Sequence, residues 1–298
     1  MLPILLATLI FAYFIYAAHV LELHKPALEA LRKPIGDWFG EAGNPVRAGV
    51  WAGASVVSLI AWLSSETSFL GEMRGEITGM ATTVIIIDEL VGYRNRLQEK
   101  KHIIQQLSSR SNDFALDAAR IIEKEGWHRD GSLKNIKVEW ANLANVYLPR
   151  AKFSNAHFHH SNLQNAILYL ANLDGGKFVR CNFEGISLIS ASLLGTEFYN
   201  VNLNEADLVN IKARGIQFHS VNFEGAAMKS ANLEDADFLL GSLKNAILTG
   251  TNLRGANLKT VGDLETANLK DAVYNKHTIF PDGFDPVAAG AIKVDDAA

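Results

Sequence analysis

From residue 133 onward the chain sets a large apolar residue at every fifth position. Counting 133, 138, 143 and on to 258 gives 26 positions. Fifteen are Leu and eight are Phe, and Val138, Ala213 and Met228 fill the rest. Two residues before each centre stands a small or β-branched residue, as at Ile136, Ala141, Val146, Ala151, Ala156 and Ser161. An α-helix repeats at 3.6 residues and a strand at 2, so neither explains a period of five. A chain that turns a corner every five residues does, and four corners close a square coil of 20. An independent order of 20 is present. Phe158, Phe178, Phe198, Phe218 and Phe238 recur on one face, and Asn142, Asn162, Asn182, Asn202 and Asn222 on the next. Coils stacked at ~4.8 Å bring these into columns, ring on ring and amide on amide. The phase slips by one in "KTVGDLETANL" and resumes at Leu264, Leu269 and Tyr274.

The first third has a different pattern. Residues 2–18 carry no charge and the apolar run continues to about 21, close to the ~20 residues of a spanning helix. No Lys or Arg precedes it, which favours an anchor over a signal peptide. A second charge-free run spans 48–65. Its Gly53, Ala54 and Ser55 allow close helix approach. A third candidate covers 76–93, with a charge-free core of only 77–87. Lys25, Arg32, Lys33 and Arg47 follow the first run, Arg74 alone lies between the second and third, and five Lys/Arg lie between 94 and 110. Three crossings then place both basic segments on the cytoplasmic side. The expectation is a multi-pass protein of a bacterial inner membrane with its larger part in the cytoplasm. Asp88 and Glu89 fall at the cytoplasmic end of the third segment, where water reaches them. Beyond it, 94–108 is charged and helical. A second helix follows, capped by Ser111 or Asn112, apolar at Phe114, Leu116, Ala119 and Ile122, and ended by Gly126.

The repeats "ANLAN", "SNLQN", "ANLDG", "CNFEG", "ADLVN", "ANLED" and "TNLRG" resemble the A-(D/N)-L-x-x unit of the pentapeptide-repeat family. The resemblance covers 131–274 and implies an all-β solenoid. That fold is a right-handed quadrilateral β-helix of about seven coils, with Leu/Phe and the small residue inward. The tail "YNKHTIFPDGFDPVAAG" resembles the C-terminal ends of many such bacterial proteins, which implies a cap on the last coil. The expected layout is a transmembrane region at 1–93 (helices about 2–21, 48–65 and 76–93) and a cytoplasmic helical linker and N-terminal cap at 94–126. The β-helix occupies 127–275, and a C-terminal cap and tail 276–298.

Composition removes alternatives. The 298 residues carry a net charge of −4, and 131–281 holds 14 Lys/Arg against 13 Asp/Glu. A near-neutral rod is a poor mimic of duplex DNA, the role in which some family members bind topoisomerase, and no nucleic-acid partner is expected. One cysteine, Cys181, excludes an internal disulfide and a paired-cysteine zinc site. "HRDGSLKN", at 128–135, matches a kinase catalytic-loop pattern, but no Gly-rich loop, strand lysine or DFG accompanies it. No catalytic or cofactor-binding residue is expected. His157, His159 and His160 are the candidates for a metal. The phase sets them outward with no carboxylate to complete a site, so solvated histidines and no metal are the expectation. One outer wall carries Tyr147, Ile167, Tyr169, Leu170, Ile189, Val209 and Ile247, a candidate surface for a protein partner or a second copy. The function expected is that of a membrane-tethered, non-enzymatic interaction scaffold.

Overall fold

Every fifth residue of the repeat bends the chain. In the computed structural model, which describes residues 68–295 and side chains from residue 83, the corner residues have positive φ. They run through Asn135, Trp140, Asn145, Arg150, Asn155 and His160. This left-handed conformation is open to Gly and tolerated by Asn, and costs other L-residues about 1–2 kcal/mol each. Gly175, Gly185, Gly195, Gly215 and Gly225 accordingly occupy equivalent corners.

Between corners the chain is extended. On one wall the segments are long enough to be strands: β1 (Lys137–Glu139), β2 (His157–His159), β3 (Lys177–Val179), β4 (Glu197–Tyr199), β5 (Gln217–His219) and β6 (Asp237–Leu239). They form one parallel sheet in chain order, each shifted 20 residues from the last. Single bridges with the same shift build the other three walls, as in Asn142↔Asn162, Tyr147↔Ile167 and Lys152↔Asn172.

The coil interior is filled by the residues that define the repeat. All five phenylalanines of the 20-residue series are buried, with successive ring centroids 5.3, 5.0, 5.6 and 5.0 Å apart. On the next wall the Asn162 amide donates to Asn142 Oδ1 at 3.2 Å, and Asn202 to Asn182 Oδ1 at 3.0 Å. Each Oδ1 also accepts the backbone N–H two residues on, as Gln164 N–H to Asn162. The ladder thus links coils and fixes each turn. The phase slip is absorbed by a 3-10 turn, Leu264–Thr266, entered through Asp263 at φ 59°, and Leu264 and Leu269 stay buried. Past 275 the chain adds a rung: Ile279 pairs with Asn257, one beyond the seven coils expected. β7 (Val273–Tyr274) then pairs with β8 (Ile292–Lys293).

Among the described residues two helices precede the solenoid: α1 (Ser68–Gln106) and α2 (Asn112–Lys124). The chain divides into Met1–Gln98 and Glu99–Ala298. Within the second unit α2 joins the solenoid core through Ala115, Ala118, Ala119 and Ile122, all buried. Of the expected apolar side Ala119 and Ile122 are buried and Leu116 packs against the core, whereas Phe114 is corrected: it is 63% exposed, since Ala115 and Ala118 fill the close approach to the solenoid instead. Nor does Asn112 or Ser111 cap α2 with its side chain. Asn112 donates instead to the carbonyls of Asn142 and Ala144, at 3.0 and 2.9 Å, tying α2 to the first coil.

The third expected membrane segment is also corrected. Residues 76–93 lie inside the 39-residue helix α1, and no helix among the described residues is long and apolar enough to cross a membrane. Glu76, Asp88 and Glu89 bracket a run of 11 uncharged residues, ~16 Å of helix against a ~30 Å hydrocarbon core. The two earlier runs, 2–21 and 48–65, lie outside the described residues.

Candidate functional site

A side chain whose Cα sits one residue before or after a buried centre projects outward, so each wall bears two outer columns. On the wall opposite the strands, bridges line up Tyr147, Ile167, Ser187, Asp207, Ala227 and Ile247. Beside them run Tyr169, Ile189, Val209 and Lys229, aligned by Leu170 N–H to Ile189 O, Ser190 N–H to Val209 O and Asn210 N–H to Lys229 O. Tyr147 is 48% exposed, Leu170 46% and Ile247 41%. Ile167 and Ile189 are also exposed, while Tyr169 and Val209 are half-buried. The Tyr147 and Tyr169 hydroxyls meet at 3.4 Å, and that hydrogen bond pushes the Tyr147 phenol up. Tyr147, Ile167, Tyr169, Leu170, Ile189 and Val209 therefore form one continuous strip over four coils. Ile247 lies further along, past Asp207 and Ala227.

The histidines sit on the strand wall. His157 and His159 are the ends of β2, and His160 is the following corner. The rings of His159 and His160 meet edge-on at 4.2 Å, and His160 lies flat on Trp140 at 4.0 Å and 3°. Among the described residues no group of three or more His, Cys, Asp or Glu is placed to hold a metal ion. Burial, then His159 and Arg180, holds the His160 imidazole below its ordinary value. The Trp140–His160 stack was not read from the sequence, although its signal was there: two flat rings at corner positions 20 residues apart. The same wall has an open groove lined by His159, Lys177, Val179, Arg180, Tyr199 and Asn200. The Lys177 ammonium there pairs with Glu197 at 2.9 Å and lies over the Tyr199 ring at 4.9 Å. The hydrogen bond raises Lys177 and lowers Glu197, so both stay charged and mutually neutralised.

The interior offers no chemistry. Its void, lined by Leu107, Val138, Phe153 and Phe158 among others, holds about 10 Å³, too little to be a ligand pocket. Cys181 is buried and its thiol is pushed up to about 11 by burial, leaving little reactive thiolate.

The kinase-like letters are structural. His128 is fully buried with Nδ1 3.3 Å from the Ile122 carbonyl, and Arg129 Nε donates to its Nε2 at 2.8 Å. Asp130 accepts the Ser132 N–H at 2.8 Å and pairs with Lys100 at 2.6 Å. Burial pushes the Asp130 carboxyl up, but the hydrogen bonds from Lys100 and Ser132 outweigh it and hold the carboxyl low. Lys100 also lies over the Trp127 ring at 5.3 Å.

These features define a repeat solenoid whose interior is closed and whose working surfaces are its walls and ends. The family model for pentapeptide repeats matches eight copies, over 132–169, 166–204, 202–238 and 242–273, and this region belongs to the pentapeptide-repeat family. Among solved structures the chain is similar to HetL, a pentapeptide repeat protein involved in heterocyst differentiation regulation from the cyanobacterium Nostoc sp. strain PCC 7120. They share 28% identity over 50% of this chain and 80% of that one, with a TM-score of 0.32. QnrB1, a plasmid-mediated fluoroquinolone resistance protein, matches at 18% identity over 55% and 92%, TM-score 0.32. A pentapeptide repeat protein of the Arabidopsis thaliana thylakoid lumen matches at 19% over 40% and 69%, TM-score 0.21. No curated protein matches the chain.

Proposed function

We propose that the protein is a non-enzymatic scaffold, tethered to a membrane, whose pentapeptide β-helix binds protein through the strip from Tyr147 to Val209. The observation that carries the reading is the strip itself. Six aromatic or aliphatic side chains stand outward on adjoining coils, where the repeat tolerates Ser, Asn, Asp or Lys equally well. Aromatic and aliphatic anchors at the centre of a patch usually carry most of an interface's energy. The tether is supported by the charge-free runs at 2–18, continuing to about 21, and 48–65.

The test is a crosslinked pull-down from native membranes, comparing wild type with Tyr169→Ser/Ile189→Ser. Loss of the main crosslinked species with an unchanged circular dichroism spectrum is the expected result. A double variant that keeps every crosslinked species makes the strip tolerated surface. Extraction of the full chain by carbonate or high salt, without detergent, overturns the tether.

A further inference from the structure

One of the two outer columns of this wall has a symmetry that the repeat does not demand. From the first coil to the sixth, one column reads Tyr147, Ile167, Ser187, Asp207, Ala227, Ile247: apolar at both ends and polar in the middle. Its neighbour reads, from the second coil to the fifth, Tyr169, Ile189, Val209, Lys229. Reversing the order of coils returns the first column's pattern.

Resting on the proposed role of the strip as a binding surface, we propose that its occupant is a second copy of this chain. The two rods pack antiparallel about a two-fold axis that runs along the wall's chain direction, between the third and fourth coils. Such an axis keeps each column facing itself and sets coil one against coil six. Tyr147 meets the partner's Ile247, Ile167 meets the partner's Ala227, and Ser187 meets the partner's Asp207, a hydroxyl against a carboxylate. In the second column Ile189 meets the partner's Val209. Tyr169 meets the partner's Lys229, an exposed ammonium brought to an aromatic ring. Every rung of the first column pairs apolar with apolar or polar with polar, and Ile247, isolated within one rod, gains a place.

Other arrangements fail on the same rungs. Parallel rods set each column against the other, so Asp207 meets the partner's Val209 and Ser187 the partner's Ile189. An antiparallel pair centred on the third coil sets Asp207 against the partner's Ile167. Each buries the Asp207 carboxylate on aliphatic surface with no donor besides its own Val209 N–H, a heavy penalty. The size of the wall sets the strength. Six coils at ~4.8 Å and three residues at ~3.3 Å cover roughly 30 by 10 Å, so two walls bury on the order of 600 Å². Stable complexes use about 1,200–2,000 Å², so this dimer is weak in dilute solution and forms where tethering concentrates the chains.

The geometry is tested by cysteine pairing in the full chain. One tagged chain carries Tyr147→Cys and a differently tagged chain carries Ile247→Cys. Both sites are exposed, and the native Cys181 is buried in the wild-type control. The two are co-expressed, and their membranes are oxidised with copper phenanthroline. The expected product is a disulfide between the two different variants and none within either set alone. The two Tyr147→Cys positions of an antiparallel pair lie five coils, ~24 Å, apart. A disulfide among Tyr147→Cys chains alone means parallel rods and overturns the proposal, as does absence of the mixed disulfide. In the surviving case Lys229→Ala should weaken co-purification of the two tagged wild-type-strip chains about two- to fivefold. If no self-association is found while Tyr169→Ser/Ile189→Ser still removes a different crosslinked protein, this proposal falls and the scaffold reading stands. If neither occurs, both fall.

Discussion

At the scale of single residues the solenoid separates what it needs from what it merely carries. Phe198 is needed: it is 1% exposed, with Phe178, Phe218 and Phe183 ring centroids at 5.0, 5.6 and 5.8 Å. Phe198→Ala is expected to lower unfolding free energy by about 3–5 kcal/mol in denaturant melts, through lost burial and a cavity that the stacked rings cannot close. Leu170 is carried: it stands at φ 58° and 46% exposed, strained and packed on little. Leu170→Asn should raise stability by about 1 kcal/mol by relieving the left-handed strain, while weakening whatever docks on the strip. A rise in melting temperature without loss of crosslinked species would separate this residue from binding. His160 couples stability to pH. Because its imidazole is held low by burial, then by His159 and Arg180, protonation favours the unfolded chain. The linked stability is present above the ordinary imidazole value and is lost as pH falls through it toward the lowered one. Melting temperature should therefore fall between about pH 7 and pH 5, and His160→Gln should flatten that slope. An unchanged slope in the variant would assign the pH dependence to other groups.

At the scale of elements, the period of five and the order of 20 made the whole solenoid legible, including which side chains enter the core and which columns form. That is because each coil repeats one environment, so a residue's phase fixes its depth. The ends were less legible for the same reason: there the period stops and ordinary packing takes over. On α2 the expected Leu116, Ala119 and Ile122 do face the core, but Phe114 does not, and the packing also takes Ala115 and Ala118, whose small size allows close approach. Asn112 has the sequence position of a helix cap but spends its amide on two carbonyls of the first coil. Asn112→Ala should therefore loosen the cap rather than α2 itself. The expected loss is about 1–3 kcal/mol, the cost of leaving partly buried carbonyls without donors. Hydrogen exchange should quicken first at the Leu143 and Asn145 amides of that coil, with helical circular dichroism retained. Equal acceleration along all six strands would mean that the cap contributes to the rod as a whole. The strip was also legible as a set of residues. So was its continuity from Ile167 to Val209, since the phase sets these residues on consecutive coils, and the ladder registers add that Ile247 lies two coils past Val209.

At the scale of the whole molecule, the helix α1 changes the argument about which side of the membrane bears the rod. Cytoplasmic placement rested on three crossings, the third at 76–93, and α1 is too interrupted by charge to supply it. If the two remaining runs, 2–21 and 48–65, both span, they return the chain to the side on which it entered. The bias of Lys and Arg toward the cytoplasm acts within about 15–20 residues of a span's end. The loop 22–47 holds Lys25, Arg32, Lys33 and Arg47, whereas 66–85 holds Arg74 alone, and the basic cluster from Arg94 onward lies beyond that reach. If both runs span, the rule would keep that loop inside and place the solenoid on the opposite side. An alkaline-phosphatase fusion at the C-terminus should be active and the matching cytoplasmic reporter silent, with the reverse for fusions within 22–47. A rod reachable only from the cytoplasm would require a further crossing, and 76–93 would have to provide it against three carboxylates. Replacing Glu76, Asp88 and Glu89 together by Leu lengthens the uncharged run from 11 to 19 residues (75–93) and should then invert the fusion result in the first case and leave it unchanged in the second.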